Sequence, residues 1–178
     1  MTRVLIAYAT RFGSTREIAL AIAHELNTAG LNARAAETSS GLIPEDYDAF
    51  VIGSPLYGGT WLSSAGVFAA VMSERMKGKP VALFSVGTLI LKNPRRGQAE
   101  HTDFIAGLVE TARGSVGLNV VADAVFSGCF DRSNLPLCLR IIDLFVPTPQ
   151  GDRRNWPEIQ AWAKSLVPKF TSSPADNP

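Results

Sequence analysis

Cysteine and histidine are scarce in this chain, with two of each among 178 residues. Cys129 and Cys138 are too far apart for a CxxC redox pair, and no second pair completes a zinc site. The sequence therefore predicts reduced thiols, as in a cytosolic protein. No apolar run reaches the ~20 residues that a membrane-spanning helix needs. A signal peptide is not expected either, because Met1-Thr2-Arg3 leads straight into an apolar run. An excess of either charge is also missing: 17 Lys and Arg stand against 16 Asp and Glu, a net charge of +1, and nothing points to a nucleic-acid partner. A Gly-x-x-x-x-Gly-Lys-Ser/Thr loop is absent, and so is a Gly-x-Gly-x-x-Gly fingerprint after the first apolar run.

What is present is a composition that is 46% hydrophobic and alternates between two periods. Short apolar runs at 4–9, 50–53, 80–86 and 119–126 read as strands, with a weaker one at 32–36. After the first of them, Ile18, Ile22 and Leu26 recur at helical spacing with Ala19 and Ala23 beside them. Ser14 with Glu17 fits a capping box, and Gly30 fits a helix stop. Further helices are predicted at 63–76, 102–113 and 135–146. Another is predicted after Asn155, with Glu158 at the capping-box position, running to about Lys169. The tail 171–178 is rich in Ser and Pro and is expected to fray, which leaves a single domain over 1–170. Five strands alternating with helices predict an α/β three-layer sandwich around a five-stranded parallel sheet of order 2-1-3-4-5. Ligands of such sheets sit outside the carboxyl ends of the strands, at the switch point between strands 1 and 3. Three loops are thereby singled out.

The first is Thr10-Arg11-Phe12-Gly13-Ser14-Thr15. It opens a helix, whose free N–H groups and dipole attract a phosphate. Thr10, Ser14 and Thr15 add hydroxyls, and Gly13 lets the backbone curl closely round an anion. Arg11 either adds charge or points into solvent. The alternative for the whole loop is an ordinary turn capped by Ser14. The second loop, Gly53-Ser54-Pro55-Leu56-Tyr57-Gly58-Gly59-Thr60-Trp61, offers close backbone approach at its glycines and ring contact at Tyr57. Trp61 either joins that contact or opens the next helix and packs in the core. The third, Ser85-Val86-Gly87-Thr88-Leu89, has no aromatic residue. A ring held there meets Leu89 on one face or stays open to a partner or substrate.

Together these loops resemble those of the flavodoxin family. More narrowly, Thr10-Arg11-Phe12-Gly13-Ser14-Thr15-Arg16-Glu17-Ile18-Ala19 is similar to the start of the menaquinone-dependent protoporphyrinogen IX dehydrogenases. Weaker similarity runs through Phe84-Ser85-Val86, the stretch with Lys92 and Pro94, Phe126-Ser127-Gly128, and the apolar segment before Trp156. The resemblance implies a flavodoxin-like fold and an FMN cofactor. It places the phosphate in the loop from Thr10 to Thr15. Ser54, Pro55, Leu56, Tyr57 and Gly58, and Ser85, Val86, Gly87, Thr88 and Leu89, would flank the ring. It also implies two-electron oxidation of a reduced substrate, with quinone as acceptor. The chain departs from those dehydrogenases at Pro55-Leu56, where they tend to carry a basic residue before Tyr-Gly, and this bears on the substrate more than on the cofactor. A flavodoxin-type electron carrier is the alternative. Small carriers are typically strongly acidic, which disfavours extra charge on the reduced flavin, so a near-neutral chain leans toward an enzyme.

The stretch 135–146, from Leu135 to Val146, is very apolar. It is read as a core helix, a homodimer interface, or a peripheral contact with the inner face of a membrane where quinone is met. In the last case Arg132, Arg153 and Arg154 would be available to anionic lipid. Lys92, Arg95 and Arg96 either close over an acidic substrate such as a propionate-bearing porphyrin or are simply solvated. His24 reads as a surface residue, and His101 as a capping or exposed residue or else as an aid to proton transfer near pH 7. No catalytic side chain is predicted, since the flavin would carry the chemistry.

Overall fold

The computed structural model describes residues 1–38, 47–57, 60–87, 106–107, 110, 114, 117–130 and 151–172. In chain order the strands are β1 (Arg3–Tyr8), β2 (Asn32–Glu37), β3 (Ala49–Tyr57), β4 (Thr60–Trp61), β5 (Pro80–Gly87), β6 (Asn119–Ser127), β7 (Cys129–Phe130) and β8 (Gly151–Asp152). The main sheet runs β2-β1-β3-β5-β6 with every neighbour parallel. Counting those five strands alone, the order is the expected 2-1-3-4-5. The two-residue strand β4 turns back antiparallel on the end of β3, and β7 pairs with β8 in a separate ribbon.

The apolar runs are continuous because the sheet is covered on both faces. Val4, Ile6, Val51 and Phe84 point to one side, where helix α1 (Ser14–Thr28) supplies Ile18, Ile22 and Leu26. Helix α4 (Trp156–Thr171, numbered after α2 and α3 below) supplies Ile159, Ala163 and Leu166 to the same layer. Leu5, Phe50, Ile52 and Leu83 point to the other side. There Phe68 of α2 (Ser63–Val71) and Met76 of α3 (Ser73–Met76) meet them. Each such large side chain contributes roughly 1.5–3 kcal/mol by leaving water. The helix expected over 63–76 is thus two. Met72 between them sits at φ −95°, ψ 2°, which closes α2 and starts a new turn that buries Met76.

Helix α1 ends as its sequence predicts. Gly30 takes φ 89°, its N–H donates to the Asn27 carbonyl, and the Leu31 N–H donates to the Leu26 carbonyl, each at 3.0 Å. Its start differs. The capping box of Ser14 and Glu17 does not form: Gly13 is the cap residue, with φ 90°, and no side chain caps the helix. The loop needs a left-handed residue to turn out of β1, and glycine supplies it at Gly13 without strain. Helix α4 does use the predicted cap, Asn155 accepting the Glu158 N–H.

Strand β3 also exceeds its expected bounds of 50–53 and passes through Pro55. The Gly53 carbonyl faces β1, accepting the Ala9 N–H at 2.9 Å, so by alternation the nitrogen of Pro55 faces the same side. Gly53 is the last residue of β3 that β1 reaches, so no ladder bond is lost there. Within the expected helix 102–113, residues 106, 107 and 110 are helical; its other residues, the stretch 135–146 and the tail from 173 lie outside the described residues.

Candidate functional site

The carboxyl ends of β1, β3, β5 and β6 meet at one edge of the sheet, and their loops enclose an open cleft of about 260 Å³. The first loop contributes Thr10, Arg11, Phe12, Ser14 and Thr15, the second Pro55, Leu56 and Tyr57, and the third Val86 and Gly87. Gly13 is the pivot of the first loop. Its N–H donates to the Thr10 hydroxyl at 3.0 Å, which closes the turn tightly. Thr15 is 1% exposed at the base of the cleft. Because no side chain caps α1, the N–H groups of its first turn are left for something else.

Ser54 and Ser85 stand behind the wall, not in it. Both are fully buried. The Ser54 hydroxyl donates to the Pro55 carbonyl and accepts the Leu62 N–H, each at 3.0 Å. The Ser85 hydroxyl accepts the indole N–H of Trp61 at 2.7 Å. Trp61 therefore neither opens a helix nor lines the described part of the cleft: it sits in β4 and ties the second loop to β5. Gly53 has a packing role, since a Cβ there would lie 2.0 Å from Cζ of Phe84. Gly58, Thr88 and Leu89 lie outside the described residues, as do Lys92, Arg95, Arg96 and His101.

Two lining residues were not singled out from the sequence as site residues, Gly128 and Cys129. The Gly128 N–H donates to the Gly87 carbonyl at 3.3 Å. A Cβ on Gly128 would come within 3.1 Å of Val86 and 3.6 Å of the Ser14 hydroxyl. The end of β6 is thus pressed against the first and third loops. The rule that puts ligands at strand ends applies to β6 as well as to β1, β3 and β5, and the Phe126-Ser127-Gly128 run was the available signal.

Charge at the site has two parts. Arg11 lies with its guanidinium 5.7 Å from the ring centres of both Phe12 and Tyr57. Tyr57 is 39% exposed; partial burial raises its hydroxyl above the usual pKa, and the Arg11 charge offsets some of that rise. Behind the first turn of α1 lies Arg154, whose side chain is only 7% exposed. It donates to Glu17 and, through two nitrogens at 2.7 and 2.6 Å, to Asp152, and it stacks 4.6 Å over the ring of Trp156. Those bonds hold the Asp152 carboxyl below the usual carboxylate range and the Arg154 guanidinium above its own. Arg154 is accordingly not available to lipid; two carboxylates have taken its donors. Arg153 beside it is exposed.

The lining suits a phosphorylated flat heterocycle. Uncapped helix N–H groups and three hydroxyls gather in the first loop, the other two loops offer apolar and backbone surface, and among the described residues no carboxylate lines the cleft to repel a phosphate. Among the described residues no cluster of His, Cys, Asp and Glu could hold a metal, and no helix is long and apolar enough to cross a membrane.

Comparison with known proteins gives a consistent picture. The sequence profile of the flavodoxin domain matches residues 5–145. The protoporphyrinogen IX dehydrogenase (quinone) of Escherichia coli K12 is 34% identical over 96 residues, covering 53% of this chain and 53% of that protein. The chain spans about half the length of the curated relatives it matches. Among solved structures, oxidised flavodoxin 2 from Bacillus cereus superposes with a TM-score of 0.61 at 21% identity, covering 95% of this chain and all of that one. An archaeal flavodoxin superposes with a TM-score of 0.60 at 13% identity, covering 96% of this chain and all of that one.

Proposed function

Because the chain belongs to the flavodoxin family and binds FMN, we propose that it is an enzyme that oxidises a reduced organic substrate of the protoporphyrinogen type and passes the electrons to a quinone. The observation that carries this reading is the 34% identity to a protoporphyrinogen IX dehydrogenase, joined to a first loop of the Thr-Arg-x-Gly-x-Thr form. The alternative, an electron carrier without a substrate of its own, is favoured by the flavodoxin structures that share the fold.

In the proposed site the first-turn N–H groups of α1 and the hydroxyls of Ser14 and Thr15 hold the phosphate. Thr10, fixed by the Gly13 N–H, shapes the loop around it. Pro55, Leu56 and Tyr57 flank one side of the ring and Val86 and Gly87 the other, with Gly128 and Cys129 completing the wall. Gly58, Thr88 and Leu89 extend these two loops. The bound flavin supplies acceptance of an electron pair; the protein orients the ring and shields it from water. The quinone would be met at a membrane surface through the apolar stretch 135–146.

Anaerobic mixing of the FMN-loaded protein with protoporphyrinogen IX tests the proposal. The flavin absorbance should bleach, and a menaquinone analogue should restore it. Flavin that stays oxidised with this donor yet exchanges electrons with a redox protein would identify a carrier instead.

A further inference from the structure

Among the described residues twelve line the cleft, and of these Arg11 is the one that carries a charge. It is exposed at the rim, held between Phe12 of its own loop and Tyr57 of the next. Aromatic faces hold a cation without neutralising it. Among the described residues no carboxylate pairs with Arg11, in contrast to Arg154, whose donors are taken by Glu17 and Asp152. The positive end of the uncapped helix α1 opens into the same space. Among the described lining residues nothing offsets this positive charge.

A flavin ring changes charge when it is reduced. Oxidised, it is neutral. After taking an electron pair and one proton at N5, it can remain an anion at N1. A fixed cation in a site partly shielded from water favours that anion over the neutral oxidised ring. We propose that Arg11 sets the reduction potential of the bound FMN, tightening the site on the reduced, anionic cofactor more than on the oxidised one. The electrons balance as follows: a two-electron organic donor loses two electrons and two protons, the flavin keeps both electrons and one proton, and the second proton passes to solvent. This inference rests on the cofactor alone and not on the identity of the donor.

The test compares the wild-type protein with Arg11→Gln and Arg11→Lys. Affinity for oxidised FMN and for riboflavin is read from flavin fluorescence, and the two-electron midpoint potential from a spectroscopic redox titration. Arg11→Gln should bind oxidised FMN within about threefold of wild type and lose about tenfold more affinity for reduced FMN than for oxidised FMN, which lowers the midpoint by about 30 mV. Arg11→Lys should keep the wild-type midpoint more closely, since it keeps the charge. An unchanged midpoint in flavin-loaded Arg11→Gln overturns the proposal. So does an equal loss of affinity for both redox states with riboflavin binding untouched, because Arg11 would then be a phosphate contact. A wild-type protein that takes up no FMN overturns the cofactor assignment itself, and this inference with it.

Discussion

Replacing Arg154 by alanine tests how the first loop is held in place. The guanidinium joins three parts of the chain: Glu17 in the first turn of α1, Asp152 in β8, and Trp156 at the start of α4. Glu17 and Asp152 are 57% and 44% exposed, so each ion pair is worth at most about 1 kcal/mol after screening by water. The stack on Trp156 is better shielded and adds about 1 kcal/mol. Removing the arginine returns both carboxylates to solvent, and no charge is left stranded in the core. Together these effects amount to about 2 kcal/mol, a fall of roughly 4–8 °C in Tm for a chain of this size. Arg154→Lys keeps the charge but loses the fork and the flat stack, so it should recover less than half of that. Thermal unfolding of both variants is the assay, with Glu17→Gln and Asp152→Asn completing double-mutant cycles. A Tm within a degree of wild type for Arg154→Ala, or zero coupling in both cycles, would refute the reasoning.

Three further outcomes are expected. Gly53→Ala should cost about 3 kcal/mol or more in urea unfolding, because its Cβ would lie 2.0 Å from the Phe84 ring, and adding Phe84→Leu should return part of the loss; a silent Gly53→Ala would mean the ring is not packed there. The pair Ser14→Ala and Thr15→Ala should weaken FMN binding by roughly 10- to 100-fold while leaving riboflavin affinity alone, as expected for lost hydrogen bonds to a charged phosphate; equal weakening of both flavins would move the phosphate elsewhere. Asp152, held below its ordinary value of 3.8 by Arg154, stabilises the fold above that value and ceases to do so as pH falls through its lowered folded value; Asp152→Asn should therefore lose up to about 1 kcal/mol at pH 7 and approach wild type as pH falls below that folded value, and a deficit that does not shrink in acid would point to packing instead.

Residues 4–9, 50–53 and 80–86 were legible as strands because each is buried on both faces, so its apolar run is unbroken. Helix α1 was legible because Ile18, Ile22 and Leu26 face a single layer. The site followed from topology: once the strand order was set, the first three loops had to meet. Other features had no local signal. Ser14 and Gly13 are both acceptable cap residues, and the choice fell to the path of the chain out of β1, which needed a positive φ. A two-residue strand such as β4 has no period to read. The resemblance put Ser54 and Ser85 beside the ring, but the Ser54 hydroxyl accepts the Leu62 N–H across the β3–β4 hairpin and the Ser85 hydroxyl accepts the Trp61 indole N–H from β4. The ion pair of Arg154 with Glu17 spans 137 positions, and only folding brings them together.

That separation has a consequence for how the protein comes to hold its cofactor. The first loop leaves the ribosome more than a hundred residues ahead of its supports: the glycine that closes the cleft against Ser14 and the arginine that steadies the first turn of α1 are Gly128 and Arg154. Until those residues have been synthesised, the first loop has neither its far wall nor its brace. Flavin loading is therefore a late step of translation or a later event. A nascent chain stalled before Gly128 would display the whole first loop and still lack a complete pocket.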